Sequence, residues 1–359
     1  MLDDYVTFGR SGLRISRFGL GAFNFGGDQG WSLDTPTAHR LIARYRELGG
    51  NLLDSANSYG GGEAETIIGN YLAADPGSRD RLVLASKFGS SIRVGDPNAG
   101  GAGRKAILQT CEQSLRRLRT DRIDLYWMHL WDPLTPMDET LRALDDLVRA
   151  GKVLHIGLSN TPAWKIAEAH WLAELRGTIP VAGLQLQYSL LERNIEVEHV
   201  PVALAYGMGI AAWSPLKSGA LSGRYRKEDS ERLDLEGRGA FLARALDSRA
   251  ETILEVVTRI ADLRHVAPAQ VALAWLLTRP ALSAIMIGAH DVGQLEENAG
   301  ASLLTLTADE LAELDEISAP AIPYPADFTR RAHGTISGGT PINGVSAPPG
   351  QGSPSQAKS

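Results

Sequence analysis

Eight short apolar runs separated by segments of helical periodicity recur along this chain, and that alternation constrains its fold more than any other feature. The runs are Arg17 to Gly21, Asn51 to Asp54, Leu82 to Lys87, Ile123 to His129, His155 to Ser159, Gly183 to Tyr188, Ile210 to Ser214 and Ser283 to Ile287. They are mostly continuous rather than alternating in polarity, as strands covered on both faces should be. Between them lie helical patterns at Pro36 to Leu48, Glu63 to Leu72, Lys105 to Leu118, Met137 to Ala150, Pro162 to Leu175, Glu196 to Ala205 and Arg249 to Leu277. Several close on a glycine where a left-handed residue is wanted, as at Gly49 and Gly151. Strand–helix units in this number and order predict an α/β fold, a (β/α)8 or TIM barrel, with active residues at the C-terminal strand ends. Ahead of it, Tyr5-Val-Thr-Phe8 and Leu13-Arg-Ile-Ser16, joined by Gly9-Arg-Ser-Gly12, read as a β-hairpin. A doubly wound sheet would need a glycine fingerprint after its first strand. Gly19-Leu-Gly-Ala-Phe-Asn24 lacks the third glycine, and no helix follows at once.

A chain of 359 residues accommodates one such barrel. The expected domain spans 1–332, and 333–359 is a Gly/Pro/Ser-rich tail without apolar periodicity, expected to be disordered. Two longer loops, Ser90 to Gly103 and Lys217 to Phe241, would cross the barrel mouth. A net charge of -6 with no block of like charge argues against nucleic acid and against an anionic membrane surface. No run approaches the ~18 apolar residues of a membrane span. The start, Met1-Leu-Asp-Asp-Tyr5, lacks the basic and apolar regions of a signal peptide. The single Cys111 rules out an internal disulfide and reads as a small core residue, so a cytoplasmic setting is expected.

Three of the strand runs end in reactive side chains: Asp54, Lys87 and His129. Tyr59 follows the first of them, in the turn Asn57-Ser-Tyr59-Gly-Gly-Gly-Glu63. On parallel neighbouring strands these four would converge at one mouth. Lys87 is one of seven lysines and ends a strongly apolar strand. A buried ammonium is costly unless paired, and Asp54 is the expected partner. Each residue alone has a plainer reading: a structural ion pair, a turn tyrosine, a core histidine. Their joint occurrence at successive strand ends points to a site in which a tyrosine, loosened by a lysine, donates a proton to a carbonyl.

The chain resembles the aldo-keto reductases over roughly Tyr5 to Pro320. The resemblance rests on Leu53-Asp-Ser-Ala-Asn-Ser-Tyr59-Gly, the strand end Ser86-Lys87, Asp124-Leu-Tyr-Trp-Met-His129, Gly157-Leu-Ser-Asn160 and Leu184-Gln-Leu-Gln-Tyr188. It continues with Trp213-Ser-Pro-Leu216 and with Gly288-Ala289 through Gln294-Leu-Glu-Glu-Asn298. The Gly-rich 90–103 loop and Leu144-Asp-Asp-Leu-Val-Arg-Ala-Gly-Lys-Val153 look most like the bacterial branch near aryl-alcohol dehydrogenases and related sugar and aldehyde reductases. The resemblance implies catalytic roles for Asp54, Tyr59, Lys87 and His129. It implies an NADPH cofactor, with NADH as the alternative, a small-molecule carbonyl substrate, and no metal. Ser159, Asn160 and Gln185 would hold the nicotinamide carboxamide, and Trp213 would stack on its ring. Ser214, Leu216, Ser218 and Arg224 would line the pyrophosphate, while Gly21, Asp54, Gly288, His290, Gln294 and Asn298 complete the implied cofactor contacts.

Some of these have structural alternatives: Ser159-Asn160 is also a helix N-cap sequence, Trp213 a core residue, and Glu297-Asn298 part of a last helix. One departure stands out. Members of this family usually carry a basic residue in the Gly288-to-Gln294 loop for the adenosine 2′-phosphate, and here His290-Asp291 takes that place. Phe25, Trp31, Trp131 and the loop around Lys217 are expected to wall the substrate pocket. Three other classes compete. A regulatory protein on the same barrel, like potassium-channel β-subunits, would keep the cofactor, although the chain has no obvious partner-binding extension. A short-chain dehydrogenase would need Tyr-x-x-x-Lys, and no tyrosine here has lysine four positions on. A zinc dehydrogenase would need a ligand cluster that one cysteine and no His-Glu-x-x-His do not supply.

Overall fold

A computed structural model of the chain describes residues 1–28, 30–225 and 237–343. A hairpin, β1 (Tyr5–Thr7) and β2 (Arg14–Ser16), pairs antiparallel with Val6 opposite Ile15. Eight parallel strands follow: β3 (Phe18–Gly21), β4 (Leu52–Asp54), β5 (Val83–Phe88), β6 (Ile123–Met128), β7 (Val153–Ser159), β8 (Val181–Gln187), β9 (Gly209–Trp213) and β10 (Leu282–Ile287). They close in sequence order, with β10 pairing back onto β3. The expected barrel and its hairpin are both present. The helices are α1 (Thr35–Glu47), α2 (Glu63–Ala74), α3 (Arg104–Leu118), α4 (Met137–Arg149), α5 (Ala163–Arg176), α6 (His199–Tyr206), α7 (Gly237–Ala245), α8 (Ser248–Arg264), α9 (Pro268–Leu277), α10 (Val292–Ala299), α11 (Ala308–Ile317) and α12 (Ala326–Ser337).

Strand alternation sorts the side chains into two cores. Outward residues such as Leu53, Leu84, Tyr126 and Leu184 pack under the helices. Inward residues Leu52, Val83, Ala85, Leu125, Trp127, Ala211, Ala284 and Met286 fill the barrel together with Phe8 and Ile15 of the hairpin. The hairpin therefore plugs the N-terminal end. Phe8 meets Trp127 edge to face at 5.8 Å, and Gly183 and Gly157 leave room for these two rings, where a Cβ would stand 2.4 Å and 2.3 Å from them. With that end filled by large rings, the inward positions one step higher are left to form the open mouth.

The long pattern at Arg249 to Leu277 is two helices. His265 takes φ 55 as the left-handed cap of α8, and Pro268 opens α9, whose first turn is fixed by Ala267 N–H donating to Gln270 Oε1 at 2.9 Å. The Glu196-to-Ala205 pattern is replaced by a 3-10 turn at Asn194–Glu196 and by α6. Glu196 stays out of that helix because its carboxylate binds Arg193 and the Tyr188 hydroxyl. The chain forms two units, Met1–Ser318 and Ala319–Ser359. The boundary drawn at 332/333 falls within α12, which continues to Ser337; residues 344–359 of the expected tail lie outside the described residues, as do 226–236 of the second mouth loop. Among the described residues no helix is long and apolar enough to cross a membrane.

Candidate active site

The inward positions at the C-terminal strand ends are Gly21, Asp54, Lys87, Ser159, Gln185 and Trp213; the register pairs Gly21 with Asp54 and Ser159 with Gln185, while Lys87 and Trp213 stand two residues beyond the partners of Asp54 and Gln185 on their strands. Lys87 is fully buried and Asp54 is 4 % exposed. Lys87 Nζ donates to Asp54 Oδ2 at 2.5 Å and to the Ser55 carbonyl at 2.8 Å. The second carboxylate oxygen, Asp54 Oδ1, accepts from Gln185 Nε2 at 3.1 Å across the barrel. A charge that is paired and hydrogen-bonded on both partners is the arrangement under which a buried ion is tolerated.

Tyr59 lies directly above this pair. Its ring centroid is 4.8 Å from Lys87 Nζ, and the His129 ring stands nearly perpendicular to it at 5.9 Å. Burial pulls the Lys87 ammonium down, but Asp54 and Tyr59 outweigh it, and the group sits above the ordinary lysine value. Burial raises the Tyr59 phenol; Lys87 draws it down and Asp54 pushes it back, leaving it above the ordinary value. Lys87 thus lowers the phenol as expected, and the larger effect of desolvation keeps it above its ordinary value all the same. Burial, with the Lys87 charge adding to it, pushes the His129 imidazole down to about 3, so it is neutral at physiological pH.

A second set of bonds runs around the mouth. Asn160, left-handed at φ 48, donates from Nδ2 to the His129 carbonyl at 2.8 Å and to Ser159 Oγ at 3.0 Å, while its Oδ1 accepts from Trp213 Nε1 at 3.1 Å. Asn160 therefore ties the ends of β6, β7 and β9 together. After β9 the backbone turns tightly: Ser214, Lys217 and Ser218 have φ of 52, 47 and 58, and Gly219 follows at 104. Four of the eight non-glycine residues with positive φ among those described lie at this mouth. Strained backbone concentrates at functional sites, and such turns gather N–H groups on one concave side suited to an anion. Leu216 is half-buried within this turn and Arg224 follows it at the surface.

The remaining implied contacts gather where β10 meets α10. Gly288 is open, with nothing within 4 Å of a Cβ built on it, and its carbonyl lies 3.5 Å from Asn298 Nδ2. His290 N–H donates to Gln294 Oε1 at 2.7 Å, and Asp291 Oδ1 caps the helix by accepting from Gln294 N–H at 2.8 Å. Arg224 reaches Glu297, N to O 3.6 Å. The geometry fits a nicotinamide dinucleotide: a hydroxyl at Ser159 and amides at Asn160 and Gln185, a half-buried indole at Trp213, and the left-handed turn after β9.

One expected wall residue is misplaced. Phe25 is fully buried, and Phe23 takes its role: it is 55 % exposed, stacked on Trp31 at 5.2 Å and edge-on to Tyr59 at 5.2 Å. Residues not foreseen also support the site. Ser55 supplies a backbone carbonyl, and Asn57 Nδ2 holds the Ser90 carbonyl at 2.8 Å, anchoring the 90–103 loop beside the mouth. Glu63, four residues past Tyr59, accepts from Gly27 N–H at 2.7 Å and fixes the loop that carries Phe23.

A sequence model of the Aldo/keto reductase family matches residues 17–319. The chain belongs to the aldo/keto reductase family. Similar family members include the uncharacterized oxidoreductase YrpG of Bacillus subtilis, 37 % identical over 92 % of this chain and 99 % of the relative. Norsolorinic acid reductase stcV of Emericella nidulans is 33 % identical over 89 % of this chain and 81 % of the relative. A putative voltage-gated potassium channel subunit beta of Schizosaccharomyces pombe is 34 % identical over 86 % and 91 %.

In this aldo/keto reductase family member the buried pair should carry measurable stability. Lys87→Met leaves the Asp54 carboxylate buried without its cation and is expected to lower the unfolding free energy by roughly 3–5 kcal/mol in urea titration. Adding Asp54→Asn to it should recover much of the loss. A single variant as stable as the parent would show that the pair is solvated.

Proposed function

We propose that this protein is an oxidoreductase that reduces an aldehyde, ketone or ketosugar carbonyl to an alcohol, with NADPH as the default reductant. The observation that carries the reading is the stack of Tyr59 over a buried Lys87–Asp54 pair beside a neutral His129. A bound nicotinamide dinucleotide would supply the hydride. Ser159, Asn160 and Gln185 would grip its carboxamide, Trp213 would lie against its ring, and the turn at Ser214, Leu216 and Ser218 would face its pyrophosphate. Tyr59 is then the general acid, its phenol protonated at neutral pH and turned toward the carbonyl oxygen. Lys87 polarises that phenol and stabilises the negative charge that grows as the proton leaves. His129, neutral, is a hydrogen-bond partner that orients the carbonyl. Asp54 and Gln185 hold Lys87 in place. The oxidoreductase name of the Bacillus subtilis relative and the reductase name of the Emericella nidulans relative support the same class. A cytoplasmic setting is part of this reading.

A regulatory role, as the name of the Schizosaccharomyces pombe relative would suggest, is the second reading. Oxidation of NADPH with a panel of simple aldehydes separates the two. Tyr59→Phe keeps the ring and removes the proton. It should lower reduction by at least the ~10²–10⁴-fold typical of general acid catalysis, with cofactor affinity almost unchanged. Equal turnover in variant and parent would remove Tyr59 from the mechanism.

Cofactor preference should be modest. Near the start of α10 an incoming 2′-phosphate meets His290 in place of a guanidinium, the Asp291 carboxylate already caps the helix, and Arg224 is engaged by Glu297. His290→Arg adds a permanent charge and a planar donor fork, so NADPH should bind more tightly while NADH is nearly untouched. Fluorescence titration of both cofactors reads this. Tight NADPH binding by the parent, unaltered by the substitution, would locate the phosphate contact elsewhere.

A further inference from the structure

The mouth has two aromatic walls, and only one of them touches Tyr59. On the β6–β7 side Trp131, two residues past His129, meets Trp164 edge to face with ring centroids 5.8 Å apart. Trp131 N–H donates to the Asn160 carbonyl at 3.4 Å, which ties this wall to the same rim as the proposed carboxamide contacts. Trp164 is the second residue of α5, at the mouth end of the helix, and is 60 % exposed. Leu130 and Leu134 of the adjoining loop are exposed as well.

Single exposed apolar side chains are ordinary, but a contiguous apolar rim beside a cleft marks a contact surface. Trp164 gains little for the fold, since most of its indole faces solvent. Its position is nonetheless fixed: Lys165 Nζ lies 4.5 Å from its ring centroid and is itself paired to Glu168 at 2.6 Å, while Trp131 holds another side. An exposed indole contacted on two sides presents a flat apolar face to a flat ligand, and the neighbours that restrain it reduce the conformational entropy to be lost on binding. Trp171, also exposed, provides the contrast. It lies about two turns further along α5, away from the mouth, and packs with His170 and Tyr206.

We propose that Trp131 and Trp164 form an outer subsite for the distal ring of an aryl carbonyl with two or more linked or fused rings, whose carbonyl is held at Tyr59 and His129. The inference rests on the carbonyl-reductase reading above and narrows it to a substrate class. On this assignment a one-ring aldehyde is held by the inner wall of Phe23, Trp31 and Tyr59 alone, and a second ring is what would meet Trp164. The far ring would then contribute binding that is the same in ground and transition states, which appears in KM and not in kcat.

The test is steady-state reduction of benzaldehyde and of biphenyl-4-carbaldehyde by the parent, Trp164→Ala and Trp164→Phe. In Trp164→Ala the KM for biphenyl-4-carbaldehyde should rise about 5- to 20-fold with kcat retained, as loss of one stacked ring contact implies. The KM for benzaldehyde should stay within about twofold, and Trp164→Phe should restore most of the two-ring affinity. Equal changes for both aldehydes, or no change for either, would overturn the outer subsite while leaving the reductase reading standing. Absence of turnover on both aldehydes by a parent that reduces other carbonyls would overturn the subsite alone, and absence of turnover across a panel of aldehydes, ketones and ketosugars would overturn the reading with it.

Discussion

A single ammonium group, on Lys87, is held inside the barrel without exposure to water, and the arrangement of the mouth follows from what it needs. It takes a carboxylate from the end of β4 and a backbone carbonyl from the next residue, and the carboxylate in turn takes an amide from β8 on the opposite wall. Only a closed barrel brings those groups to one point, because β4 and β8 are not neighbours in the sheet. The hairpin plug matters for the same reason. By setting Phe8 and Ile15 against the inward residues of the strands, Trp127 of β6 among them, it fills the interior beneath the pair.

Behind the ammonium, strand alternation places Ser86 outward, where its hydroxyl donates to Glu65 Oε1 at 2.5 Å. Glu65 is itself fully buried and receives Arg117 through Nε at 2.7 Å. Two ion pairs thus flank β5, one fully inside the barrel and one part-buried that joins α2 to α3. Each would be costly alone; hydrogen-bonded as they are, they fix the strand that carries Lys87 in register and rotation.

The barrel was legible in the sequence because strands covered on both faces read as unbroken apolar runs, and their ends fall within one or two residues of the runs themselves. Asp54, Lys87 and His129 were legible because each terminates such a run. Helix division was less so: the apolar periodicity from Arg249 to Leu277 continues through His265, whose left-handed backbone breaks the helix. The helix Ala308–Ile317 had a readable signal, the capping pair Thr307 and Glu310, in a segment where apolar residues are sparse. Phe23 and Phe25 were exchanged because a loop has no period from which to tell inward from outward. The Ser55 carbonyl and the left-handed Asn160 are backbone features, which side-chain identity does not announce.

The electrostatics make a sharper claim than the list of residues. Desolvation holds the Tyr59 phenol above its ordinary value near 10, where it is a proton donor, and holds His129 neutral down to about 3. The acid form of Tyr59 is therefore present at neutral pH and is lost only as pH rises through its raised value, while His129 gains charge only in strong acid. The pH dependence of kcat/KM for reduction of a simple aldehyde measures both at once. The account predicts a flat profile from about pH 5 to pH 9 with a fall at still higher pH. A limb centred near pH 6.5 would contradict it, because the histidine would then titrate as though it were in water, and neither its burial nor the Lys87 charge would govern the site.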